Sequence, residues 1–403
     1  MVEAKQQALH GARVFVTGGT GAIGGRLVER LVLERNAHVS VLARNLSRAA
    51  RVARFPVALY KGEVTDPQAV RAAMRDCDFV FHCAYGNAPD PAVQRRVNVD
   101  GTHVVLDAAL QLGVRQVVHV STCSVYGFVP PNGKIDETAV RRRSGNVYAD
   151  TKIDAEALAL SYARDKGLPV AVVQPTAVYG PGLPVWTNSV LGRLKRERMF
   201  LVEGGEGLSN AVYVDDVVDG MLLAAECPEA AGEAFLLSGP DLPSWREFFG
   251  AYEAMLGVRA TVPASVDEIA AHWRAWEREQ RAPSVFLEPW RMLNEEKTVR
   301  KRIRRTREVQ YLLAAARAMK GRLRGAPNPK PPTRRRGAPM RRDPAQEQAP
   351  LQPISPEMLN FFRARTHFET GKAQRVLGYR PRYDLTRGMR MTQRWAEWAN
   401  LLK

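Results

Sequence analysis

The chain has 403 residues, 45% of them hydrophobic, and a formal charge of +17. That length and apolar share suit one large α/β unit or two lobes with a sizeable core. No run is apolar enough to cross a bilayer, residues 1–10 lack the apolar stretch of a signal peptide, and the four cysteines (Cys77, Cys83, Cys123, Cys227) show no CxxC spacing, so they read as free thiols of a cytoplasmic protein rather than a disulfide framework or metal site.

In chain order, residues 12–16 (ARVFV) read as a short apolar strand. A Gly-rich turn follows, Thr17-Gly18-Gly19-Thr20-Gly21-Ala22-Ile23-Gly24, and then GRLVERLVLERN, with apolar residues at helical spacing. HVSVLA (38–43), VALYKG (57–62), DFVFHCA (78–84), QVVHVST (116–122) and VAVVQPT (170–176) read as further strands, separated by helical patterns such as NVDGTHVVLDAALQLG. This alternation predicts a Rossmann-type, doubly wound parallel α/β sheet, and the near-continuous apolar strands fit a sheet covered on both faces. After about residue 180 the alternation weakens into helices and short strands (NAVYVDD, EAFLLSG), and SWREFFGAYEAML opens on a serine N-cap. The predicted organisation is a dinucleotide-binding domain over 10–180, a smaller C-terminal substrate lobe from 181–264 and 351–403, and a basic insertion over 265–350 that is helical first and Pro/Arg-rich and disordered afterwards.

The charge is local. Seventeen Lys and Arg lie between Lys297 and Arg342 against a single acid, Glu308. The remainder of the chain is therefore nearly neutral. Residues 297–342 read as a solvated insertion or as a basic amphipathic segment for an anionic membrane surface, which would make the protein peripherally attached. Nucleic acid is the weaker reading, because aromatics for base stacking are scarce there.

The chemistry-bearing residues fall in three places. In the Gly-rich turn, Gly18 permits the tight bend, Gly21 lets the backbone approach a pyrophosphate and Gly24 lets helix and sheet pack closely; the helix N-terminus offers free N–H groups to phosphate. Strand two ends in Ala43-Arg44 with no acid, which favours NADP over NAD, since an arginine there can fork onto a 2′-phosphate; Arg48 stands one turn on. Tyr148 and Lys152 are four residues apart, on one face of a helix. A phenol with an ordinary pKa of about 10 becomes a useful base only if cations stabilise its anion, and Lys152 supplies one. Ser121, Thr122 and Ser124 each offer a hydroxyl at a strand end where doubly wound sheets bind ligands. His82 and His119 read as packed within their strands. Asp215-Asp216 read as carboxylates pointing apart on a strand, without further metal ligands.

Together the motifs TGGTGAIG, FHCAY (81–85), NVDGT (98–102), HVSTCSVYG (119–127), YADTK (148–152), PTAVYGPG (175–182) and VYVDDVV (212–218) resemble the extended short-chain dehydrogenase/reductase superfamily, its NAD(P)-dependent epimerase/dehydratase group, over about 12–260 and again over 355–403. The resemblance implies that Thr122, Tyr148 and Lys152 are the catalytic set. It implies cofactor contacts from Gly18, Thr20, Gly21, Ala22, Ile23, Gly24, Arg44, Glu63, Val64, Ala84, Asn98, Pro175 and Thr176, with Tyr126 and Tyr179 near the substrate. It also implies a homodimer. Dehydratases of the group carry an Asp-Glu pair after the Ser/Thr, where this chain has Cys123-Ser124; dehydration is therefore not expected. The expected function is hydride transfer between NADP or NAD and a small secondary alcohol or ketone. The alternatives are a nucleotide-sugar epimerase with tightly held NAD and a non-enzymatic dinucleotide-binding scaffold.

Overall fold

The computed structural model describes residues 8–127, 132–281 and 349–402. Two compact units divide the chain, one from residues up to 270 and from 341 onward, the other from 271–340. Of the second unit only 271–281 is described, the end of helix α9 (Val266–Arg281), where the Trp273 and Trp276 rings lie 4.8 Å apart. The basic segment 297–342, with its membrane-surface reading, lies outside the described residues, as does the Pro/Arg-rich run up to 348.

The larger unit is built on seven strands: β1 (Arg13–Thr17), β2 (His38–Ala43), β3 (Ala58–Lys61), β4 (Phe79–His82), β5 (Gln116–Val120), β7 (Val170–Pro175) and β11 (Ala234–Leu237). β6 (Gly133–Ile135), β8 (Ala177–Tyr179), β9 (Met199–Val202) and β10 (Ala211–Tyr213) lie outside this sheet. The sheet order is β3-β2-β1-β4-β5-β7-β11, every pair parallel. It is the Rossmann-like α/β sheet expected from the alternation of elements. The order reverses between β1 and β4, so their carboxyl ends flank the crevice where such sheets bind ligands.

Helices cover both faces. On one, α1 (Ala22–Arg35) and α7 (Val214–Glu226) bury Leu27, Leu31, Val217 and Met221 against Val14, Val16, Val118 and Phe235. On the other, α2 (Pro67–Met74), α4 (Gly101–Gln111) and α5 (Val147–Lys166) bury Val70, Val105, Leu106 and Tyr162 against Phe15, Val80, Val117 and Val172. A short helix α3 (Pro91–Arg95) runs through one π-helical turn (Arg96–Asp100) into α4. Strand alternation in two dimensions explains the split, since successive side chains of each strand enter opposite cores.

The second lobe is aromatic. α6 (Val190–Arg196), α8 (Trp245–Leu256) and α12 (Leu385–Trp398) close on Trp245, Phe248, Phe249, Tyr252 and Tyr179. α8 starts on the anticipated serine cap, completed as a capping box by Glu247. The chain after residue 349 returns to this lobe through α10 (Pro356–Arg363), β13 (Thr366–Phe368) and α11 (Gly371–Val376), with β13 pairing β6 and β12 (Thr261–Ala264) pairing β9. These four short strands escaped the sequence pattern because none exceeds four residues, too few for a period of two to show.

One expectation is corrected. Asp215 and Asp216 sit in the first turn of α7, not on a strand. Their acidity suits a helix N-terminus, and each has a structural partner. Asp215 takes a forked pair from Arg26 at 2.6 and 3.0 Å. Asp216 accepts the Arg382 and Tyr383 backbone N–H groups at 2.8 and 3.1 Å. No group of acids, histidines or cysteines able to hold a metal occurs among the described residues.

Candidate active site

The turn after β1 is shaped by close backbone approach. Gly18 has φ +69°, and a Cβ on it would lie 2.7 Å from the Ala84 nitrogen, at the end of β4. A Cβ on Gly24 would drive into the Gly18 carbonyl. Gly21 caps α1 without any side-chain hydrogen bond to the first turn. The first N–H groups of α1 are thus left for an external acceptor, with Thr20, Gly21, Ala22 and Ile23 all accessible around them. This arrangement fits a dinucleotide pyrophosphate. Ala84 accompanies it, its N–H donating to the Thr17 hydroxyl at 3.2 Å. Beyond β2, Arg44 and Arg48 are exposed, and their side chains have no hydrogen-bond or ion-pair partner among the described residues. Arg51, which the sequence did not single out, lies half-buried against Gly25 and Gly182, and burial pulls its pKa down. Glu63 is exposed after β3, and Val64 is buried against Gly101.

The second cluster gathers at the carboxyl ends of β4 and β5. Asn146 caps α5 by accepting the Ala149 N–H at 3.2 Å. The helix then lines up Tyr148, Lys152 and Glu156 at successive turns. The Tyr148 phenol lies near enough to the Thr122 side chain for it to favour the phenolate, and the Tyr85 ring meets it edge-on at 5.9 Å. Burial pushes the Tyr148 phenol well above its ordinary range; Thr122 opposes that shift by hydrogen bonding the anion. Lys152 is 5% exposed and donates to the Val120 carbonyl at 2.5 Å. Burial lowers its pKa to about 8, against the charge of Glu156. Of the three hydroxyls the sequence left open, Ser121 is turned away, donating to Glu156 at 2.5 Å, and Ser124 accepts from Thr122 at 3.2 Å. Thr122 is the one near the Tyr148 phenol.

Glu156 was not anticipated, and it anchors the site from below. It is 1% exposed and takes hydrogen bonds from Ser121, Gln174 and Arg141, the last at 2.9 Å. An acid four residues past Lys152 was visible in the sequence, but its burial was not. His82 behaves as expected. Thr102 donates to the Asn98 carbonyl at 2.6 Å, so it must accept from His82 Nε2; Nδ1 is then the acceptor for Thr17 at 2.7 Å. The ring is neutral, its pKa depressed by burial to about 3. His119, tilted over it at 5.3 Å, has neither ring nitrogen hydrogen-bonded.

Several residues assigned by resemblance have partners within the protein. The Asn98 side chain accepts the Gly86 N–H at 2.6 Å and donates to Gly86 and Thr151, clamping the Tyr85–Gly86 loop to α5. Its amide is spent within the protein. Pro175 ends β7, and Thr176 bonds the Leu237 carbonyl and Ser238 hydroxyl, both at 3.3 Å. The tyrosines assigned to substrate are packed. Tyr126 is 2% exposed, with its hydroxyl on Gln174 at 2.8 Å, and Tyr179 is 1% exposed in the aromatic core.

The pattern defining the NAD dependent epimerase/dehydratase family matches residues 14–237. Over 287 residues the chain is 32% identical to a 4-hydroxy-2-methyl-3-oxo-4-farnesyl-3,4-dihydroquinoline-1-oxide ketoreductase of Stigmatella aurantiaca, covering 68% of this chain and 85% of that protein. It is 32% identical to cinnamoyl-CoA reductase 1 of Petunia hybrida (61% and 80% covered) and 30% identical to dTDP-glucose 4,6-dehydratase of Streptomyces antibioticus (65% and 83%). Among solved structures, DesIV, a dTDP-glucose 4,6-dehydratase of Streptomyces venezuelae with NAD and TYD bound, superposes with a TM-score of 0.65 at 21% identity, covering 97% of this chain and all of that one. UDP-glucose 4-epimerase of Thermotoga maritima gives 0.64 at 19%, with 96% and 99% covered. At those identities the likeness establishes the fold.

Proposed function

The chain belongs to the NAD-dependent epimerase/dehydratase family, and from that premise we propose that it is an oxidoreductase moving a hydride between a nicotinamide dinucleotide and a secondary alcohol or ketone. The observation that carries the reading is the placing of Tyr148 and Lys152 on successive turns of α5, with the buried Lys152 ammonium fixed on the Val120 carbonyl and Thr122 near the Tyr148 phenol. The dinucleotide fits the cradle of Gly18, Gly21 and the uncapped start of α1, where a Cβ on Gly18 or Gly24 has no room. When bound, it supplies the hydride acceptor or donor.

The chain's own groups handle the proton. Thr122 orients the substrate oxygen by a hydrogen bond. In oxidation Tyr148, as phenolate, takes the hydroxyl proton; in reduction it gives that proton to the forming alkoxide. Burial alone disfavours the phenolate, so its formation depends on positive charge gathered nearby, and Lys152, one turn along α5, provides it. Glu156 keeps Lys152 charged at neutral pH. Arg44 and Arg48 favour NADP, because both stand free where a 2′-phosphate would extend beyond β2.

Tyr148→Phe tests the mechanism. Turnover should fall by about 10²–10⁴-fold, while NADP binding, followed by quenching of protein fluorescence, stays unchanged. Wild-type turnover in that variant would overturn the assignment.

A further inference from the structure

Helix α12 packs by one face only. Met389, Thr392 and Ala396 are buried, and Met389 and Ala396 join the aromatic core. The opposite face carries Arg387, Met391, Arg394 and Trp398, at positions i, i+4, i+7 and i+11, with Arg390 beside them. The stripe is about 17 Å long at the helical rise. All five residues are exposed, Met391 by 38% and Trp398 by 85%. The other described tryptophans are buried or half-buried.

The stripe is fixed in direction. Asn400, at φ +57°, turns the chain back after the helix. Its N–H bonds the Glu397 carbonyl at 3.1 Å, and the Leu401 N–H bonds the Ala396 carbonyl at 2.8 Å, which closes the last turn as a Schellman pair. Leu401 and Leu402 then pack on the aromatic core. Trp398 therefore projects from a closed helix end. Arg387 lies over the Tyr383 ring at 4.6 Å and donates to the Arg382 carbonyl at 3.0 Å. The Arg390 and Arg394 side chains have no hydrogen-bond or ion-pair partner among the described residues. The one acid of α12, Glu397, stands at the edge of the stripe and accepts from Gln393 at 3.0 Å.

From this we infer that the outward stripe of α12 docks on an anionic lipid surface. An indole and a thioether set among guanidiniums suit a headgroup layer. The apolar groups enter it, while the arginine heads stay on phosphate and their stems cover apolar surface. A second copy meeting this stripe with its own would gather six guanidiniums against two Glu397 carboxylates, and the segment 297–342, with seventeen Lys and Arg and one acid, is repelled in the same way. Single-stranded nucleic acid offers phosphates, but one indole gives no succession of platforms for its bases. The inference stands on Trp398 and Met391, so it is separate from any part that 297–342 plays.

The test uses the full chain with vesicles of phosphatidylcholine, alone or mixed with phosphatidylserine. The protein should sediment with the mixed vesicles at low salt and far less with the neutral ones, and brominated acyl chains should quench its tryptophan emission. Trp398→Ala keeps every cation of the chain. It should nevertheless weaken partitioning about tenfold and remove most of the quenching. Arg390→Ala with Arg394→Ala should weaken partitioning about thirtyfold and flatten its salt dependence. Both variants change exposed side chains only and should leave Tm and NADP binding unchanged. Absence of binding to the mixed vesicles would overturn the inference. So would vesicle binding that neither variant moves, whether or not the same variants dissociate a dimer or release an oligothymidylate.

Discussion

Glu156 shows how much a single buried carboxylate can set. It lies under the reactive cluster, and its charge opposes the burial that lowers Lys152 to about 8. Glu156→Gln keeps the shape and removes that charge. The Lys152 pKa should fall further, so the ammonium is lost at lower pH. In the oxidative direction the alkaline limb of kcat/KM should move down by about one unit, and an unmoved limb would deny Glu156 this role. At the other end of the site, Arg44→Ala should weaken NADP binding by roughly 10–100-fold, the worth of a charge-assisted hydrogen bond, and leave NAD within about twofold, as measured by parallel titrations. What could be read of these residues in advance was uneven. Tyr148, Lys152 and the glycines were legible as candidates because their spacing within one element is the signal; Thr122 was one of three hydroxyls until the resemblance singled it out. Glu156 and the inward duty of Asn98 were not, since burial and partners fifty residues away leave no local trace.

At the level of elements, the β1 turn and α1 divide their glycines by task. A Cβ on Gly24 meets backbone, the Gly18 carbonyl, which cannot step aside. A Cβ on Gly21 comes only to 3.1 Å from that same oxygen, at a φ of −79° that any residue accepts. Gly24→Ala should therefore cost about 1–3 kcal/mol of stability and lower Tm by several degrees. Gly21→Ala, with the milder contact, should lower Tm less than Gly24→Ala yet weaken dinucleotide binding more clearly, by filling the space beside the open N–H groups. Calorimetry and cofactor titration on both variants separate the two roles. The parallel, doubly wound character of the sheet was legible from alternation; its strand order was not. The placement of Asp215-Asp216 was not, because AVYVDDVV supports a strand as well as a strand running straight into a helix.

Across the whole molecule, Asp216 ties the α7 face of the sheet to the returning segment at Arg382–Tyr383. It is fully buried, and burial raises its pKa to about 6, above the unfolded value of about 3.9. Such a group adds stability that is complete below about pH 4 and is lost as pH rises through about 6. Asp216→Asn cannot titrate and offers one acceptor oxygen instead of two. Its Tm deficit relative to wild type should be largest near pH 4, shrink up to about pH 6, and hold level above pH 7; a deficit constant with pH would show that the carboxyl does not change ionisation there. No sequence pattern joins residue 216 to 382, or 208 to 364, because nothing in the intervening chain marks where it will return.

The bond from Leu208 back to Ala364 also sets an order of birth. A ribosome releases the Gly-rich turn near the beginning of its work and the segment that returns to Leu208 near the end. Ala373, Leu377 and Tyr379 complete the core under α1 and α7 only then. A chain cut short within the basic stretch should therefore leave that face of the sheet open to water.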